Sequence, residues 1–286
     1  MVTRRRAIAG SLTILGALLS AAVLAAPARA ASEYNLPYGV TPISHAVYRL
    51  HMLAFWMMCG IGLIVFGLIF YSVIFHRRSR HPVPAKFHEN TVLEIVWTIL
   101  PFFILVILAV PAARLLLRME NLRHSQLTVR ITGYQWLWRY TYPRYGINVY
   151  SRLSNSSLAA VQYGRHLSPY AVPHYLRSVS HPMVVPTGEK IRLLVTGGDV
   201  IHAWWVPALG LQIDANPGLI NAMWIKILKP GVYRGACNQI CGWGHGYMPI
   251  VVVAKPPQQF LEWVRHWRAM HRGPGQGDFP PHPLGL

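Results

Sequence analysis

The chain has 286 residues, 53% of them hydrophobic and only 13% charged, with 27 Lys plus Arg against 9 Asp plus Glu. That length holds one or two domains, and two long apolar runs carry much of the hydrophobic excess. A net charge of +18 suits nucleic acid or an anionic membrane surface, but scattered basic residues and signs of export exclude nucleic acid as the partner.

The first segment, residues 1–30, reads as a signal peptide. Arg4, Arg5 and Arg6 precede an apolar stretch from Ile8 to Ala26, and Ala28-Arg29-Ala30 forms an A-x-A cleavage pattern. A first membrane helix is the rival reading; the small, Ala-rich composition favours removal after Ala30. The mature chain stays strongly basic without those arginines.

Residues 31–120 are expected to form a membrane hairpin, with spans at about 50–75 and 93–115. Met52 to Phe75 and Ile95 to Ala113 contain no Asp, Glu, Lys or Arg. At about 1.5 Å per residue the shorter run reaches roughly 29 Å, enough to cross the hydrocarbon core. Arg77, Arg78, Arg80 and Lys86 lie between the runs, so the positive-inside rule puts that loop in the cytoplasm and both mature ends outside. The signal peptide implies the same orientation independently. Gly60, Gly62 and Gly67 would allow close helix contact, and Cys59 is expected to be an inert buried thiol. Glu94 sits at the cytoplasmic edge of the second span, either as a functional carboxylate or as a solvated interfacial one.

From about Gln126 the pattern becomes β-rich. QLTVRITGYQWLWRYTY, VVPTGEKIRLLVTGGDVIHAWWV, NAMWIKIL, GVYRGAC and PIVVVAK read as strands separated by Gly and Pro, which predicts an all-β sandwich or barrel over residues 121–272. Tyr134, Trp136, Trp138, Tyr140 and Tyr142 alternate, as residues on one face of a strand do. Residues 151–182 show little periodicity and read as a long excursion. Phe260, Val264, Trp267 and His271 fall at helical spacing, and the Pro/Gly-rich tail, 273–286, is expected to be disordered.

The chemistry concentrates in Cys237-x3-Cys241-x3-His245-x2-Met248, with His202 on a separate apolar run. Thiolate, thioether and imidazole select copper over hard, oxygen-seeking cations. A mononuclear blue-copper centre uses one cysteine, so the second thiolate suggests two coppers bridged by both sulfurs. Such a pair shares one electron with little bond rearrangement, which suits electron transfer more than bond-making. A Cys237–Cys241 disulfide is the plain alternative in an oxidising compartment; a zinc site is disfavoured by the methionine and by the lack of a second C-x-x-C pair.

With FHENTVLEIVWTILP, GYQWLWRY, DVIHAWWVPALGLQIDANPG and CNQICGWGHGYMPI, the chain resembles the subunit II family of heme–copper cytochrome c oxidases over nearly all its mature length. The resemblance implies two transmembrane helices followed by a cupredoxin-like β-barrel with a binuclear copper centre, CuA. By it, Cys237 and Cys241 would bridge the coppers. His202 and Met248 would complete one copper, and His245 with the backbone carbonyl of Gln239 the other. Trp136 would receive electrons from a soluble donor, and Glu94 would stand at the mouth of a proton-uptake path in the catalytic subunit. Electrons would pass to heme in subunit I, which reduces oxygen to water coupled to proton translocation. The implied location is a bacterial inner membrane with the copper domain on the periplasmic side.

Two departures from the family pattern stand out. Gln239 replaces a glutamate that serves as a ligand of a shared magnesium, leaving a poorer partner for that hard cation; Gln212 and Leu219 replace a lysine and an arginine nearby. After the aromatic strand, Arg139, Arg144 and Arg152 stand where the family carries acids. Such a face would repel a basic cytochrome c, so the donor is expected to be acidic, or to dock through an apolar patch, and to include copper proteins among its candidates. The scarcity of acids also fits an outer domain working in an acidic medium. Three rival functions are a quinol oxidase subunit II, a copper-delivery protein and the copper domain of a nitrogen-oxide reductase. The full ligand set argues against the first, the aromatic strand and Glu94 against the second, and the hairpin motif against the third.

Overall fold

A computed structural model describes residues 35–83, 86, 88–161 and 168–271. The expected signal peptide and tail lie outside the described residues. Among the described residues, two long apolar helices, α1 (Pro42–Phe75) and α2 (Thr91–Glu120), precede ten strands, and both helices are long and apolar enough to cross a membrane.

Both helices outrun their apolar segments on the outward side, where the first turn of α1 and the last turn of α2 are fastened to the β-domain. Thr41 caps α1 through a reciprocal box with Ser44, and its hydroxyl also donates to the Leu209 carbonyl at 2.8 Å. The Val40 amide donates to Ala208, and the Leu228 amide to Val40. At the end of α2, the Trp224 indole donates to the Arg118 carbonyl at 2.8 Å. Lys190 caps the exit by donating to the carbonyls of Asn121 and Arg123. These bonds satisfy backbone groups that a helix end otherwise leaves open.

Within the membrane segment the expectations change. Nothing within the chain approaches the space over Gly60, Gly62 or Gly67, so these glycines do not mediate contact between α1 and α2. Cys59 is exposed on the outside of α1, which corrects the expectation of burial: an apolar span has no buried face until something packs on it.

The β-domain is a sandwich of two five-stranded sheets. One holds β1 (Leu127–Tyr134), β2 (Leu137–Tyr142), β3 (Ile147–Ser151), β5 (Ile191–Gly197) and β8 (Asn221–Ile225), in the order β3-β2-β1-β5-β8. The other holds β4 (Met183–Pro186), β6 (His202–Val206), β7 (Leu211–Ala215), β9 (Gly231–Cys237) and β10 (Pro249–Lys255), in the order β4-β10-β9-β6-β7. β1 runs parallel to β5 and β4 parallel to β10; the other pairings are antiparallel.

Trp138, Tyr140, Tyr142 and Trp204 are fully buried between the sheets. The Tyr142 hydroxyl stitches them together, donating to the Val184 carbonyl at 2.9 Å and accepting from the Val184 amide at 3.0 Å. The Trp204 indole donates to the Tyr140 hydroxyl. Burial of this kind raises both phenols well above the usual tyrosine range. In the excursion, α3 (Asn155–Val161) and a bridge between Leu153 and Val179 supply local order. The closing helix α4 (Pro257–Met270) buries Phe260 and Val264 against the sandwich, as its spacing predicts.

One strand expectation is corrected. QLTVRITGYQWLWRYTY is a hairpin, with Tyr134 opposite Leu137 and Gln135-Trp136 at the turn. Trp138, Tyr140 and Tyr142 do share the buried face, whereas Tyr134 is only half-buried on β1, whose inner face carries Val129 and Ile131. A two-residue turn shifts the parity of the alternation, so Tyr134 shares a face with Leu137 and Arg139, and Ile131 shares one with Tyr140, although the aromatic residues continue at every second position through the turn.

Candidate metal centre

The candidate ligands gather where several strands end. His202 opens β6, Cys237 closes β9, and Met248 directly precedes β10. The loop between them is clamped at its base, where the Cys237 amide donates to the Met248 carbonyl and the Asn238 amide to Ala203. Gly242 adopts φ +111, a conformation side chains rarely tolerate, and a Cβ on Gly244 would collide with the Trp136 ring. Two glycines therefore let the loop fold tightly over the hairpin tip.

That fold brings the sulfurs together. The Cys237 and Cys241 Sγ atoms lie 3.9 Å apart as free thiols. The His202 Nδ1 stands 4.0 Å from the Cys237 Sγ, and the His245 Nδ1 stands 3.6 Å from the Cys241 Sγ. The Gln239 carbonyl oxygen lies 3.4 Å from the Cys237 Sγ while its side chain is exposed. Met248 is 1% exposed and belongs to the same buried cluster as both cysteines. The donor atoms of His202, Cys237 and Cys241 all lie within 4.8 Å of one another, close enough for a common metal.

Electrostatics divide the two thiols. Burial alone would raise Cys237, but hydrogen bonding from His202 and from the backbone at Gln239 and Ala203 brings it below the usual thiol range. Burial and the charge of Cys237 push Cys241 up to about 12. His202 is raised despite its burial, because Cys237 and Asp199 both favour its charged form.

Asp199 is a functional residue that sequence reasoning missed. Its carboxylate accepts from the His202 Nε2 at 2.8 Å and from the Gln135 amide at 2.7 Å. This directs the Nδ1 of His202 at the sulfur, the outer partnership that metal-binding histidines use to fix their tautomer. Gln135 was missed as well; its side-chain amide donates to the Cys241 carbonyl at 2.8 Å. The D-x-x-H spacing was a signal for Asp199, but it is too short and common to stand alone.

Trp136 does join the centre. Its indole donates to the Cys241 carbonyl at 3.2 Å, and the residue is 6% exposed. Glu94 does not: it is exposed in the first turn of α2, about 39 Å along the helix from the end that meets the β-domain. The three arginines assigned to one docking face also separate. Arg139 follows the hairpin tip and lies over Tyr134, and Arg152 follows the β3 residue that pairs with Trp138. Arg144 sits beyond the other end of β2, about 20 Å away along the strand.

Residues 127–255 match the family model described as Cytochrome C oxidase subunit II, periplasmic domain. Residues 30–115 match the one described as Cytochrome C oxidase subunit II, transmembrane domain. The chain is 38% identical to the "Probable cytochrome c oxidase subunit 2" of Rickettsia prowazekii, over 78% of this chain and 69% of that one. It is 33% identical to the cytochrome c oxidase subunit 2 of Cereibacter sphaeroides, over 90% of this chain and 92% of that one. The crystal structure of the periplasmic domain of subunit II from Bradyrhizobium japonicum covers 51% of this chain and 96% of its own, at 35% identity and a TM-score of 0.43.

Proposed function

The chain belongs to the cytochrome c oxidase subunit II family, and we propose that its β-domain holds a binuclear copper centre that takes electrons outside the membrane and delivers them to a heme-bearing partner subunit. The observation that carries this reading is the pair of free thiols 3.9 Å apart, with one imidazole Nδ1 facing each sulfur. The donor set fits copper by its chemistry, being soft thiolate and thioether with imidazole. Cys237 and Cys241 would hold both metals between them, with His202, Met248, His245 and the Gln239 carbonyl supplying the remaining donors. When bound, the copper pair supplies a one-electron couple with little change in bonding.

The chain's own residues do the rest. Asp199 holds the His202 ring, and the clamped loop excludes water from Cys237, Cys241 and Met248. Cys241, whose thiol is pushed up to about 12, would have to give up a proton to bind metal, so copper affinity is expected to rise with pH. Trp136, bonded to the Cys241 carbonyl, receives electrons for the centre. Glu94, at the inner end of α2, serves proton uptake by the catalytic subunit. Gln239 offers only an amide where a shared magnesium would need a carboxylate, so this chain contributes little to such a site.

The protein sits in a bacterial inner membrane with the β-domain on the periplasmic side, consistent with the arginine-rich loop between the spans. Arg139 and Arg152 flank the hairpin tip and disfavour a strongly basic donor; the acid-poor surface suits an acidic medium. The test is copper content and electron paramagnetic resonance on the full chain in detergent, loaded with copper and oxidised. Two coppers per chain sharing one unpaired electron are expected. One copper, or a Cys237–Cys241 disulfide, would overturn the assignment.

A further inference from the structure

Trp136 is the ring nearest the centre that sequence reasoning assigned to electron intake, yet it is 6% exposed and offers an incoming protein almost no surface. What covers it is Trp243, whose ring centroid lies 4.5 Å from that of Trp136 and whose own exposure is 60%. Trp243 sits on the ligand loop itself, two residues after Cys241 and two before His245. Resting on the copper-centre reading above, we propose that Trp243 is the surface residue on which the soluble electron donor docks, and that one electron passes from the donor through the Trp243–Trp136 pair toward the cysteine loop.

Charge indicates the kind of donor. In a chain of net charge +18, four of the connections at this end of the sandwich, residues 135–136, 198–201, 216–220 and 238–248, contain no Lys or Arg; the fifth, the excursion that leaves β3, begins with Arg152. Their one carboxylate, Asp199, is bonded to His202 and to the Gln135 amide. Val200 is exposed next to Asp199, and Ile240 is exposed on the ligand loop. A large exposed aromatic with Val200 and Ile240 exposed on the same loops is the composition of an interface hot spot. Beyond this surface the flanking side chains are Arg139 and Arg152. The matching partner is a one-electron carrier protein with an apolar face over its redox centre and a neutral to acidic rim. The donor is oxidised by one electron, the acceptor centre is reduced by one, and no bond or proton moves.

The test uses the intact, copper-loaded oxidase and two probes: azurin, a blue copper protein with an apolar face, and a basic cytochrome c. Variants Trp243→Ala and Trp243→Phe are compared with wild type. Azurin binding is measured on the fully reduced enzyme with reduced azurin, where no electron can move; the rate of electron arrival is measured on the oxidised enzyme. Trp243→Ala is expected to weaken azurin binding about 30-fold, the scale of truncating a central aromatic anchor. The rate should fall in step, at low and high salt alike, and Trp243→Phe should restore most of both. Wild type should bind azurin more tightly than the basic cytochrome c. Reduction by a small ruthenium photoreductant, which needs no docking surface, should be unchanged.

Unchanged azurin binding in Trp243→Ala would overturn the proposal. So would loss of the heme-bearing subunit from the purified variant with azurin binding intact, because Trp243 would then face that subunit. Failure of the copper reading is distinct, since wild type itself would lack the binuclear resonance signal.

Discussion

The β-domain and the membrane hairpin place their apolar residues in opposite situations. In the sandwich, Trp138, Tyr140, Tyr142 and Trp204 are completely buried, and two hydroxyl-centred contacts tie one sheet to the other. In the hairpin, Phe66, Leu68 and Phe70 of α1 and Trp97, Phe102 and Phe103 of α2 are exposed, and three glycines face open space. The sandwich completes its own core, as a water-soluble domain must. The helices satisfy their backbone internally and leave their side chains to lipid and to partner subunits. Precision in this chain is therefore concentrated around the cysteine loop, while the hairpin's outer surface has its packing decided elsewhere.

The sharpest way to break that contrast is at the sulfurs. Cys241→Ser removes one of the two proposed bridging ligands, and the full chain should lose the shared-electron signal entirely and retain at most one copper, measured by metal analysis and paramagnetic resonance. The next largest effect belongs to the strand beneath the loop. A Cβ on Gly235 would collide with the Trp205 carbonyl oxygen on β6, and backbone cannot swing aside as a side chain can. Gly235→Ala should destabilise the β-domain by about 2–4 kcal/mol, read from denaturant unfolding followed by near-ultraviolet dichroism.

Tyr142→Phe removes a single oxygen but leaves both the amide and the carbonyl of Val184 unpaired in the core. A loss of about 1–3 kcal/mol is expected in the same assay, with copper binding retained; a neutral result would mean water replaces the hydroxyl. The smallest effect on the chain itself should come from the hairpin. Gly67→Leu meets nothing within the chain, so β-domain stability should stay within about 0.5 kcal/mol. If that glycine surface meets the heme-bearing subunit, less of that subunit should co-purify. Equal recovery would show that the face meets lipid.

Legibility from sequence followed the range of the interaction. The spans, the strand-rich domain, the closing helix around Phe260 and Val264, and the candidate ligand loop were all readable, because each depends on local composition or fixed spacing. The hairpin turn at Gln135-Trp136 was not, since the aromatic residues recur at every second position straight through it, although the turn puts Tyr134 and Trp138 on opposite faces. β7 was not either; Leu211–Ala215 does alternate apolar and polar residues, but five residues are too few for a period of two to stand out until its pairing with β6 is seen. The arginines were read as one face because they are near in sequence, and a strand's length then separated Arg144 from the others.

What the sequence determined by itself is the inventory: two charge-free spans, an arginine-rich loop between them, and a soft-ligand motif whose residue types select copper. What only the tertiary structure decided is which atoms meet. Asp199 reaches His202, Gln135 and Trp136 reach the Cys241 carbonyl, and Trp243 covers Trp136. Those contacts join the β1–β2 turn, the β5–β6 turn and the β9–β10 loop, segments far apart in the chain. Side-chain type and short-range spacing are local properties of a sequence. The convergence of three turns at one end of a sandwich is set by how two sheets bury a shared core.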